Sequence, residues 1–107
     1  MADYIQVLTT TARRDEAEKI GRALVERRLA ACVQIVGPIT SVYRWQGQIE
    51  TAEEWQCWAK SRRERYPQIE AAIRGLHPYE LPEILALGVL DGSPAYLAWL
   101  EAETATK

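Results

Sequence analysis

"LAACVQIVGPITSVYRWQGQIETAEEWQCWAKS", residues 29–61, decides the fold. "LAACVQIV" is a short apolar run rich in β-formers, which predicts a largely buried strand. Gly37-Pro38 interrupts it, and "ITSVYRW" resumes the strand character. The interruption is read as a bend or bulge inside one long strand. Gly47, between Gln46 and Gln48, marks a tight hairpin turn. A third strand then runs from about Gln48 to Ser61. Alternation sets Trp55, Cys57 and Ala59 on one face and Gln56, Trp58 and Lys60 on the other.

Working outward, Ile5 and Val7 alternate with polar positions and predict a first strand that ends near Thr10. Asp15 and Glu16 suit the first turn of a helix. Ala17, Ile20 and Leu24 recur at helical spacing, and Arg27 and Arg28 suit its last turn, so the helix should run from about Arg14 to Arg28. Beyond the hairpin, Pro67 suits a helix start. Ile69, Ala72, Ile73 and Leu76 share one face, and Glu70 and Arg74 can pair on the outer face. The helix should stop by His77, because the residue before Pro78 is pushed out of the α region. "ILALGVL", residues 84–90, predicts a fourth strand, and "AYLAWLEAE", residues 95–103, a C-terminal helix.

The order β-α-β-β-α-β plus a terminal helix is α+β, the ferredoxin-like split βαβ arrangement, in a single domain over residues 1–107. Two helices then share one sheet face and leave the other bare. Yet "ILALGVL" is apolar at both parities, and Tyr43, Trp45 and Trp58 cannot all face the helices. A bare apolar face predicts another subunit to cover it.

Composition narrows the function classes. The formal net charge of −2 gives no attraction to phosphate backbones, and no basic-aromatic RNA signature appears in the third strand, so no nucleic-acid partner is expected. No apolar run reaches membrane-span length, and "MADYIQVLTT" lacks a secretory pattern, so no membrane partner is expected and the cytoplasm is the expected compartment. Cys32 and Cys57 each lie in an apolar strand-like run and read as buried, reduced thiols.

The chemistry concentrates in "HPYELPEI", residues 77–84, which holds the one histidine between stiffening prolines. His77 is either a helix-ending residue or a metal ligand that needs further donors from elsewhere. Glu80 reads as a solvated carboxylate. Glu83, directly before a buried strand, reads as held by a partner. Acid–base catalysis by His77 and Glu83 is conceivable, although no nucleophile or metal motif accompanies them. Tyr43 and Trp45 near the hairpin, with Lys60 on the next strand, could hold a planar anionic ligand by stacking and ion pairing.

"LVERRLAACVQI", "SVYRWQGQIE", "LHPYELPEI" and "AYLAWL" together resemble the CutA (CutA1) family of divalent-ion tolerance proteins. The resemblance runs in order from about Ile5 to Leu100. It implies a small cytoplasmic, non-enzymatic protein of ferredoxin-like fold, assembled as a homotrimer that is PII-like in architecture. It also implies a link to copper or another divalent cation. The recurring positions of the family fall on Tyr43, Trp45, Lys60, His77, Tyr79 and Glu83, which by resemblance line a cleft between subunits. Some copper-associated members carry a cysteine where this chain has Thr9 and a second histidine where it has Leu76. The resemblance therefore implies weak metal binding centred on His77. Two alternatives remain open. One is a PII-like sensor of a small anionic metabolite. The other is an acid–base enzyme using His77 and Glu83.

Overall fold

The computed structural model describes residues 3–105. The chain runs β1 (Tyr4–Thr11), α1 (Arg14–Glu26), β2 (Cys32–Trp45), β3 (Gln48–Arg62), a 3-10 turn (Arg63–Arg65), α2 (Tyr66–Leu76), β4 (Leu85–Gly88) and α3 (Pro94–Glu103). The sheet order is β2-β3-β1-β4, antiparallel at every junction. This is the ferredoxin-like arrangement that the sequence pattern predicts.

The hairpin closes through Gln46 and Gly47, with Trp45 opposite Gln48. Both turn residues take the left-handed conformation, φ 51° and 79°, as a two-residue type I′ turn requires. The interruption at Gly37-Pro38 is a bulge. Val36 opposes Gln56 and Ile39 opposes Glu54, so two residues of β2 face Trp55 alone. Trp55 lies so close that a Cβ on Gly37 would stand 2.5 Å from its Cε3.

One face of the sheet carries the core. Ile5 and Val7 of β1 and Cys57 and Ala59 of β3 pack with Ala17, Ile20 and Leu24 of α1 and with Ile69 and Ile73 of α2. The alternation read in β3 holds: Cys57, Ala59 and Ser61 are buried, and Trp58 and Lys60 point to the other side.

Five expectations need correction. β2 is not a buried strand. It is an edge strand of the sheet, and most of it beyond Val36 is exposed. Cys32, at its start, is accordingly half-buried rather than interior. α1 stops at Glu26, because Arg28 turns left-handed, φ 58°, and the Leu29 and Ala30 amides both bond back to the Leu24 carbonyl. β4 has four residues, Leu85–Gly88, which ladder with Ile5 to Leu8 of β1, and the Val89 amide adds one last bond to the Tyr4 carbonyl. The face opposite the core is also not wholly bare. α3 brings the Tyr96 ring within 5.9 Å of Lys60 Nζ. It is anchored there by Arg62 and Arg65, which both donate to the Thr104 carbonyl.

Candidate functional site between the hairpin and the 77–84 connector

α2 ends where Pro78 dictates. The His77 amide makes the last helical bond, to Ile73 at 2.8 Å, and His77 itself is extended, φ −79° and ψ 134°. Its ring turns inward and is buried, 8% exposed. Nε2 lies 2.7 Å from the Thr10 carbonyl oxygen, and the Tyr79 amide donates to Nδ1 at 3.1 Å. A carbonyl can only accept, so Nε2 carries the proton and Nδ1 offers its lone pair. The imidazole thus ties the connector to the end of β1, and its ring packs against that of Tyr79, with centroids 4.7 Å apart.

This clip fixes Tyr79, whose hydroxyl donates to Glu54 Oε2 at 2.8 Å. Burial, then the Glu54 carboxylate, holds the Tyr79 phenol far above its ordinary pKa, so it stays a donor. Glu54, on β3, is itself only 8% exposed. The Thr10 hydroxyl reaches Glu83 Oε1 at a long 3.5 Å. Thr10 therefore engages the connector twice, through its carbonyl and its side chain.

A cleft of about 580 Å³ opens here. The hairpin contributes Ser41, Val42, Tyr43 and Trp45, the connector contributes Tyr79, Glu80, Leu81 and Glu83, and Thr10 and Glu54 complete it. Four of the six residues read from the sequence, Tyr43, Trp45, Tyr79 and Glu83, meet in this one cavity. Two do not. His77 is buried and does not line it. Lys60 lies six positions along β3 from Glu54, roughly 20 Å at strand rise, where its Nζ donates to Gln34 Oε1 at 2.8 Å. Among the described residues no lysine, arginine or histidine lines the cleft. Sequence reasoning missed Glu54. Its alternation with Gln56 was readable, but its burial comes from Tyr79, 25 residues away in sequence.

A metal was implied by resemblance, and the residues of a single chain do not fit one. Among the described residues no group of three or more His, Cys, Asp or Glu converges on a point that could hold an ion. Both His77 nitrogens are occupied within the chain. Cys57 is buried and its thiol is pushed up to about 11 by that burial, far from the thiolate that a metal needs. Thr9 is buried, and among the described residues its hydroxyl has no hydrogen-bond partner.

Known proteins place the chain. The family described as CutA1 divalent ion tolerance protein matches residues 5–103. The chain belongs to this family. The Thermus thermophilus divalent-cation tolerance protein CutA is 43% identical over 98 residues, 92% of this chain and 95% of that protein. The mouse Protein CutA is 43% identical over 88 residues, 82% of this chain. The chain spans 50% of the mouse protein's length. The solved structure of the periplasmic divalent cation tolerance protein CutA from Archaeoglobus fulgidus superposes with a TM-score of 0.93 at 32% identity, covering 95% of this chain and 99% of that one. The family is named for tolerance of cations, not for a reaction. No helix among the described residues is long and apolar enough to cross a membrane.

Proposed function

We propose that the chain acts as a homotrimeric, non-enzymatic protein of divalent-cation tolerance, PII-like in assembly and working in the cytoplasm. One observation carries the reading. On the sheet face opposite the core, Val36 on β2 and Leu85 and Leu87 on β4 are 48%, 54% and 45% exposed. Both strands are outer edges of the sheet. Apolar side chains on free edges invite further strands, and copies of the same chain are the partners that the family reading supplies. Light scattering tests it: a mass of three chains supports the proposal, and a monomer at micromolar concentration overturns it. Compartment is tested by fractionation, since the Archaeoglobus relative is named periplasmic.

In this reading the tolerance role needs no tight resident metal in one chain. Copper on His77 would cost one of two intrachain hydrogen bonds, so uptake there is weak. Titration of wild type and of His77→Ala in a non-chelating buffer checks this. Tight binding that survives His77→Ala would put the metal elsewhere. The two other readings have less support. Within one chain Lys60 stands apart from the aromatic cleft, so an anionic metabolite held there would lack that cation. The His77 nitrogens are both engaged, which leaves neither free to relay a proton with Glu83.

A further inference from the structure

We draw no further inference here: the strongest candidate, the half-buried Cys32 thiol on the open sheet face, opposite Lys60 on β3 and within reach of the Tyr96 hydroxyl, is a lone cysteine on a face that further copies of the chain would cover, and nothing in the structure points to a ligand there.

Discussion

Tyr79 shows how one side chain links the connector to the sheet. Its amide donates to His77 and its hydroxyl to Glu54, so it joins two buried polar side chains from different parts of the fold. Tyr79→Phe keeps the ring and removes the donor. A buried carboxylate losing its partner costs about 1–3 kcal/mol, so urea melts should show a loss of that order. An unchanged midpoint would mean that water replaces the phenol and that Glu54 is not committed to it. Cys57 makes a second test at the same scale. Its thiol is pushed up to about 11 by burial, against about 8.5 in an unfolded chain. The folded state therefore keeps its proton while the unfolded chain releases one. The stabilisation is complete below pH of about 8.5 and is lost as pH rises towards 11, by on the order of 3 kcal/mol. The raised Tyr79 phenol adds to the trend in the same direction. Melts of wild type and Cys57→Ala between pH 8 and 11 should give a shallower slope for the variant. Identical slopes would remove Cys57 as the cause.

The elements repeat the same lesson with two glycines of opposite character. Gly47 takes φ 79° with nothing within 4 Å of where a Cβ would lie. Gly47→Ala therefore suffers only from backbone conformation, a cost of about 1–2 kcal/mol. At Gly37 a Cβ would stand 2.5 Å from the Trp55 ring, so the ring or the bulge must move. Gly37→Ala should be the more damaging change, and adding Trp55→Ala should relieve it, because the two residues touch. Denaturant melts of the two single variants and the double variant check both statements; additive losses at positions 37 and 55 would refute the contact. Much of this architecture was legible in the sequence. The period-two pattern from Trp55 to Ser61 and the helical spacing of Ile69, Ala72 and Ile73 are local, and local signals survive folding. What stayed illegible depends on distant partners. Nothing within "LAACVQIV" says that it lies at an edge, since strand order is decided by which strands pair with β1 and β3. Nothing near Glu54 announces that Tyr79 will cover it. Lys60 seemed a neighbour of Tyr43 because both belong to one hairpin, but each further residue adds about 3.3 Å along a strand.

At the scale of the whole molecule, the hairpin leaves apolar surface that one chain does not cover. The molecule measures 45 × 25 × 22 Å, and its hairpin is a two-stranded arm whose Val42 and Ile49 are 67% and 68% exposed. A two-stranded hairpin by itself is marginal in water, and three or more strands or a packed face are needed to hold it. The arm and the apolar edges at Val36, Leu85 and Leu87 thus point to the same remedy, which is contact with further copies of the chain. Burying them removes apolar surface from water at about 25 cal/mol per Å², and it makes stability depend on protein concentration. The double change Leu85→Glu and Leu87→Glu places two charges on the open face, where a neighbouring chain would have to bury them unpaired. The core face is untouched by either change, so the fold of each chain should persist. The expected outcome is a variant that scatters as a monomer, keeps its circular dichroism at low temperature, and melts well below wild type at a temperature that no longer rises with concentration. Wild type should melt higher as its concentration increases. A variant that retains wild-type mass and melting temperature would show that these leucines lie outside the subunit contact, and the covered-face account of assembly would fail with it.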